Sequence, residues 1–337
     1  MPSNRSEPSA WQLLAPLMDL VTPMALRVAA TLRLADLIAD GAERVDELAK
    51  RSGTDADALG RLLRHLVCHG VFEQPSPGRF TLNDKAELLR SDHPGGMGKW
   101  LDLNGFGGRM DLVFTGLLHS VRTGGPAWEQ VFGTPFWDHL AAEPALAASF
   151  DARMARSPRS AAASAYDWSG VRHVVDVGGG TGALLDEVLQ DRPGLRGTLV
   201  DLPQTVARGR RFLAERGLDG RCAFAGQSFF DPLPTGGDVY VLSAVLHDWA
   251  DEPATAILRR CAEAAGPAGR VLVVEYATSA GADPAMFAEM DLRMLVISGG
   301  RERTVEEYGT LAEAAGLAPA EVRTVSSGHA LMEFRAA

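Results

Sequence analysis

A chain of 337 residues with 33 basic and 43 acidic side chains, net charge -10, has the wrong sign to neutralise a phosphate backbone or an anionic membrane surface. Its 46% hydrophobic and 23% charged residues are those of a globular protein with material for one large core or two ordinary ones. The sequence contains no apolar run of about 18 residues, no basic-then-apolar leader and no paired spacing among Cys68, Cys222 and Cys261. A cytoplasmic protein without membrane or nucleic-acid partner is therefore expected.

In chain order, "MPSNRSEPSA" reads as a polar tail, and Thr22-Pro23 as the start of a helix running through "MALRVAATLRLADLIADG" to Gly41. "VDELAKRSG" and "DADALGRLLRHLVCHG" predict two further helices, each stopped by glycine, and "VFEQPSPGRFTLND" predicts a hairpin. Three helices and a hairpin form the winged-helix pattern. The third helix carries Asp55, Asp57, Arg61 and Arg64, which is no concentrated basic face, so a dimerisation and lid module is favoured over a DNA reader. His65, Cys68 and His69 have the spacing to share a metal on one helix face, but no second ligand cluster lies nearby in sequence and no metal is expected. An aromatic and glycine-rich helical stretch follows, with Trp100, Phe136 and Trp137 read as core before pocket lining.

From about residue 166 the pattern changes. "HVVDVG", "GTLVDLP", "DVYVLSAVL" and "RVLVVEYA" are continuous apolar strands separated by helices such as "TVARGRRFLAERG" and "EPATAILRRCAEAAG". Strands of this kind belong to a parallel sheet covered on both faces, a doubly wound α/β domain. The expected division is 1–95, 96–165 and 166–337.

"DVGGGTG", Asp176 to Gly182, follows the first of these strands and opens a helix. Such turns hold ligands at the carboxyl ends of the strands, and Gly178, Gly180 and Gly182 let the backbone approach one closely. Asp201 ends the next strand, 19 residues after Gly182, where a carboxylate can accept both hydroxyls of a ribose. Gly178-x-Gly180-x-x-Ala183 also satisfies the loose dinucleotide fingerprint, so the loop alone does not name the ligand.

"TPMALRVAATLRLAD", "WLDLNG", "SFDARM", "AYDWSGVRHVVDVGGGTG", "LSAVLHDWAD", "DLRMLV" and "GGRERT" together resemble the S-adenosylmethionine (SAM)-dependent O-methyltransferases of caffeate O-methyltransferase architecture. The likeness covers nearly the whole chain and is closest to the actinobacterial branch acting on aromatic polyketides of the anthracycline, carminomycin type. It implies a C-terminal Rossmann-like SAM domain behind an N-terminal, mainly helical winged-helix dimerisation domain, a homodimer, and a small aromatic acceptor.

The resemblance assigns roles position by position. It gives the cofactor Asp176, Gly178, Gly180, Gly182, Asp201, Phe229, Phe230, Ser243 and Trp249. It adds Ser228, where the family usually has the aspartate that contacts the adenine amino group. His247 matches the general base, flanked in the family by acids matching Glu275 and Glu302. Asp151, Met154 and Met294 match acceptor-side positions; relatives often have asparagine where Asp151 stands. Asp248 is read as orienting the turn, and Asp251 as a helix N-cap.

The chemistry fits a histidine between carboxylates, which hold one tautomer and keep the ring basic. A phenol near pKa 10 and a histidine near 6.5 differ by about 3.5 units, roughly 5 kcal/mol uphill, so the ring needs that support. Three other readings remain. One is a homologue that keeps SAM with diverged, hydroxylase-like chemistry; the hydroxylating relative lacks this histidine. The second is methylation at nitrogen or carbon, and the third is a winged-helix regulator.

Overall fold

The structure is a computed structural model and describes residues 9–154, 165–277, 281, 283–325 and 328–337; the first eight residues of the predicted tail and residues 155–164 of the predicted middle segment lie outside the described residues. The chain forms two compact units, Met1–Asp111 and Leu112–Ala337.

In the first unit, helices α1 (Val21–Thr31), α2 (Leu34–Ala39), α3 (Val45–Ser52) and α4 (Ala56–Cys68) precede a hairpin of β1 (Glu73–Ser76) and β2 (Arg79–Thr81). Leu34, Leu48, Leu63, Leu66 and Phe80 are fully buried at its centre. The single helix expected up to Gly41 is broken at Arg33, which takes a left-handed φ of 54° between α1 and α2. Thr22 does not cap α1. Its N-cap, Leu20, makes no side-chain capping bond, and Asp19 just before it accepts the N–H groups of Val21 and Thr22 on Oδ1 at 2.9 and 3.1 Å. The Thr22 hydroxyl instead lies 3.0 Å from Nε2 of His65 and 3.3 Å from Nε2 of His69, so these rings serve an internal contact.

The second unit contains α5 (Phe136–Ala142), α6 (Pro144–Met154), β3 (His173–Val177), α7 (Ala183–Gln190), β4 (Arg196–Asp201), α8 (Pro203–Ala214), β5 (Cys222–Gly226) and β6 (Val239–Ser243). It continues through α9 (Asp251–Ala265), β7 (Arg270–Tyr276), α10 (Pro284–Ser298), α11 (Val305–Ala314), β8 (Leu317–Thr324) and β9 (His329–Ala336). The seven strands form one sheet in the order β5-β4-β3-β6-β7-β9-β8. The five strands from β5 to β7 are parallel, as their unbroken apolar runs require, while β9 and β8 close one edge antiparallel.

Buried side chains on both sheet faces make the core, Val175, Tyr240 and Val273 in one cluster and Val174, Val241 and Leu272 in the other. The strand order reverses between β3 and β6, so their carboxyl ends open the crevice where such sheets take ligands. Among the described residues no helix is long and apolar enough to cross a membrane.

Candidate active site

Two loops leave the sheet at this crevice. The first, after β3, carries Gly178, Gly180 and Gly182 at φ of 70°, 59° and 83°, a left-handed backbone that L side chains rarely adopt. A Cβ on Gly178 would lie 2.8 Å from Cγ2 of Val245 on the facing loop, whereas one on Gly180 would meet nothing within 4 Å among the described residues. The loop is thus closely packed on one side and open on the other.

Asp176, at the end of β3, is 1% exposed, and its Oδ2 has no hydrogen-bond partner among the described residues. Burial, with the Asp201 charge nearby, pushes its carboxyl up to about 7. Asp201 accepts from the Gly180 N–H at 2.9 Å and the Leu202 N–H at 2.7 Å. Burial still outweighs these bonds and carries it up to about 6. The glycine loop therefore presents a backbone cradle beside two buried carboxyls whose pKa values are raised.

Phe229 and Phe230 meet edge to face at 5.1 Å, and both stand edge-on to Trp249, at 5.8 and 5.0 Å. Trp137 of α5 lies parallel to Trp249 at 6.3 Å. These rings form an apolar wall for a flat heterocycle. The Ser228 hydroxyl accepts from the Phe230 N–H at 3.2 Å, which sets the wall's first turn. Ser243 ends β6 beside the same crevice.

The second loop carries His247. After Ser243, Ala244 adopts a left-handed φ of 53°, and the chain turns into a short 3-10 turn, Leu246–Asp248. Glu275, at the end of β7 and 0% exposed, sits under this turn; its Oε1 accepts the N–H groups of Val245 and Leu246 at 3.0 and 2.9 Å. Its Oε2 stands 3.8 Å from Nδ1 of His247. Glu302 Oε1 lies 3.0 Å from the same nitrogen. A carboxylate only accepts, so Nδ1 carries the proton and donates to Glu302, leaving Nε2 as the lone-pair nitrogen of the neutral ring. Nε2 stands 3.6 Å from Asp248 Oδ1.

Burial pulls the His247 pKa down, but the negative charges of Glu302, Glu275 and Asp248 win and carry it up to about 10. The ring, 8% exposed, is a strong base because it is buried among carboxylates.

The expected trio of His247, Glu275 and Glu302 thus converges from β6, β7 and the segment after α10. Met294, 7% exposed on α10, belongs to the helix that feeds this segment. Met154 ends α6. Asp151, also on α6, is held by Arg208 of α8, Oδ2 to Nε at 2.5 Å, and its charge is felt by Asp201. Its contacts therefore lie on the cofactor-loop side. Asp251 is the first residue of α9 and does not cap it; its Oδ1 accepts from Arg303.

Sequence reasoning overlooked Arg303, 1% exposed beside Glu302, and Gly300, where a Cβ would fall 2.1 Å from the His247 carbonyl oxygen. It also overlooked Asp291, whose Oδ1 accepts the Glu302 N–H at 2.9 Å. Only the doublet Glu302-Arg303 and the double glycine ahead of it were there as signals. Among the described residues no group of three or more His, Cys, Asp or Glu is arranged to hold a metal ion.

Two buried carboxyls suited to a sulfonium and an α-ammonium, an open glycine cradle, and a buried base at the facing strand end fit a methyltransferase site. The chain belongs to the O-methyltransferase family: residues 114–318 match the O-methyltransferase domain and 16–92 the O-methyltransferase dimerisation domain. It is 49% identical over 313 residues to 2,7-dihydroxy-5-methyl-1-naphthoate 7-O-methyltransferase of Streptomyces carzinostaticus, 92% of this chain and 93% of that one.

It is also 49% identical over 322 residues to aclacinomycin 10-hydroxylase RdmB of Streptomyces purpurascens, 94% and 86% of the two chains. The crystal structure of NcsB1, an O-methyltransferase from neocarzinostatin biosynthesis, in complex with SAM and 2-hydroxy-5-methyl naphthoic acid, superposes with a TM-score of 0.90 at 48% identity, covering 96% of this chain and 98% of that one. The enzyme is a SAM-dependent O-methyltransferase, and the cradle and acids described above fit that cofactor.

Proposed function

We propose that this enzyme methylates a hydroxyl of an aromatic, polyketide-like metabolite, with His247 as the general base. The observation that carries the assignment is the 3.0 Å contact between Glu302 Oε1 and His247 Nδ1. It fixes the tautomer that leaves Nε2 free of hydrogen in the neutral ring.

When bound, SAM supplies a methyl group already activated on a sulfonium. The chain's own task is to align the acceptor oxygen and accept its proton. Glu302 holds the ring through Nδ1, and Glu275 fixes the turn that carries it and adds a second negative charge. With the imidazole at about 10, the ring matches an ordinary phenol near pKa 10 and the proton passes between them at little cost. At neutral pH the free enzyme holds imidazolium, so the ring takes the phenol proton on Nε2 only after releasing its own Nε2 proton to solvent. The result is the same phenolate–imidazolium complex that a phenolate forms by binding directly.

On the cofactor side, Asp201 binds the ribose hydroxyls, and the backbone of Gly178, Gly180 and Gly182 approaches the ligand. Asp176 balances positive charge, Phe229, Phe230 and Trp249 enclose the adenine with Ser228 at its polar edge, and Ser243 makes a polar contact to the cofactor. Met154 and Met294 bound the acceptor space; Asp151 shares α6 with Met154, but its carboxylate is held by Arg208 on the cofactor-loop side. Residues 1–95 make a homodimer, 96–165 cover the acceptor, and 166–337 carry the cofactor. The acidic charge and unpaired cysteines support a cytoplasmic enzyme without nucleic-acid or membrane partners.

The test is incubation with methyl-labelled SAM and a panel of hydroxylated naphthoates and anthraquinones. A labelled methyl ether from the native enzyme, reduced on the order of 10²–10⁴-fold in His247→Gln, is the expected result. Absence of label in every phenol overturns the reading, and an oxygenated, unlabelled product points to the chemistry named for the aclacinomycin 10-hydroxylase.

A further inference from the structure

We propose that Arg303 is a positioning residue for the base: its guanidinium grips the backbone on both sides of His247-Asp248 and so fixes where the imidazole stands against Glu302. The inference rests on the reading of His247 as the base.

Arg303 Nη1 donates to the Leu246 carbonyl at 3.0 Å and Nη2 to the Trp249 carbonyl at 2.7 Å, the residues immediately before and after His247-Asp248. Nε and Nη2 donate to Asp251 Oδ1 at 3.1 and 2.8 Å, and Nη1 reaches the Arg301 carbonyl at 3.4 Å. These contacts give each of the five guanidinium N–H groups an acceptor. Between them, the Arg301 N–H donates to the His247 carbonyl at 2.9 Å. Three holds thus fall on the turn, at the carbonyls of Leu246, His247 and Trp249, and Gly300 lets the two backbones approach that closely.

A guanidinium at 1% exposure is costly to bury, and the five hydrogen bonds above go to backbone carbonyls and Asp251. What it secures is geometry. Glu302 and Arg303 are neighbours in the chain, so the group that aligns the ring and the group that holds the ring's backbone shift together or not at all. Lysine keeps the charge but has three donors on one atom, and cannot span two carbonyls and a carboxylate as the planar fork does.

Arg303→Lys tests this, with Asp251→Asn as a milder second variant that leaves Arg303 in place and removes charge from a partner whose side chain is 58% exposed. For each, acceptor kcat and KM, the affinity for S-adenosylhomocysteine, and the His247 ring titration by nitrogen-15 NMR without acceptor would be measured. Arg303→Lys is expected to lower kcat by about 10- to 100-fold while acceptor KM and S-adenosylhomocysteine affinity stay within about threefold. The His247 titration is expected to move down by roughly one unit or more as the ring drifts from Glu302. Asp251→Asn should shift both in the same direction by less.

The proposal is overturned if Arg303→Lys retains native kcat and ring titration. It is equally overturned if thermal stability, product affinity and kcat fall together while the titration stays put, as a purely structural role requires. If Arg303→Lys does not fold, an unchanged His247 titration in Asp251→Asn overturns it. Should the native enzyme methylate no hydroxyl, the functional reading falls, yet the ring titration still decides the part played by Arg303.

Discussion

Glu302 and His247, 55 residues apart in the chain, meet with Oε1 3.0 Å from Nδ1, and this contact makes one ring nitrogen a donor and reserves the other for the acceptor. Glu302→Gln replaces a pure acceptor with a group that both donates and accepts, so the tautomer is no longer dictated. It also removes the charge that does most to raise the imidazole. kcat should fall by at least about tenfold, and the pH at which kcat/KM levels off should move down from the alkaline range toward 6.5. An unmoved pH profile in the variant would remove Glu302 from the mechanism.

The same charges couple the base to stability. The folded imidazole sits at about 10 against an unfolded 6.5, so its stabilising contribution is complete below about 6.5 and lost as pH rises through about 10. His247→Gln leaves Glu302 and Glu275 buried without their cation, so it should melt below the native protein at pH 6. That gap should narrow steadily toward pH 10. Melting curves across this range decide the matter, and a gap independent of pH would count against a charged ring.

Asp176 is an acid raised from 3.8 to about 7, so its contribution to the unliganded protein is present below about 4 and lost as pH rises through 7. Asp176→Asn keeps the shape and removes the buried charge. The variant should gain several degrees over the native protein at pH 8, less at pH 5, and bind SAM more weakly. Equal gains at both pH values would mean that Asp176 does not ionise in this range.

Gly300→Ala would force a Cβ to 2.1 Å from the His247 carbonyl oxygen and 2.5 Å from the Asp248 carbonyl carbon, both backbone atoms. The turn must yield, at a cost of about 1–3 kcal/mol in stability. kcat should drop by about 10²-fold if the displacement approaches 1 Å. SAM affinity, set across the crevice, should change little. Native kcat in this variant would show that the turn tolerates movement.

Much of this arrangement was legible in the sequence because the chemistry sits where strand runs stop. "HVVDVG", "DVYVLS" and "RVLVVEYA" are apolar enough to betray a buried sheet, so Asp176, Ser243 and Glu275 fall at strand ends by inspection. β8 and β9 were not foreseen. β8 buries only Leu317, and β9 lacks alternation because six consecutive residues from His329 to Phe334 are buried. Arg303 escaped for a similar reason. A charged residue in "GGRERT" reads as solvated, and only the tertiary fold shows it enclosed by Leu246, Trp249 and Asp251. At Asp251 the acid–proline signal located α9 correctly, but the carboxylate was committed to Arg303 and did not cap the helix.

Ala244 holds a left-handed φ of 53° directly between the end of β6 and the two N–H groups bound by Glu275. An alanine there costs on the order of 1–2 kcal/mol that a glycine would avoid. The histidine is therefore mounted on a cocked spring, kept under tension by Glu275 from below. Letting that spring relax with Ala244→Gly would trade a stiff mount for a slack one. The enzyme should become easier to fold and harder to aim.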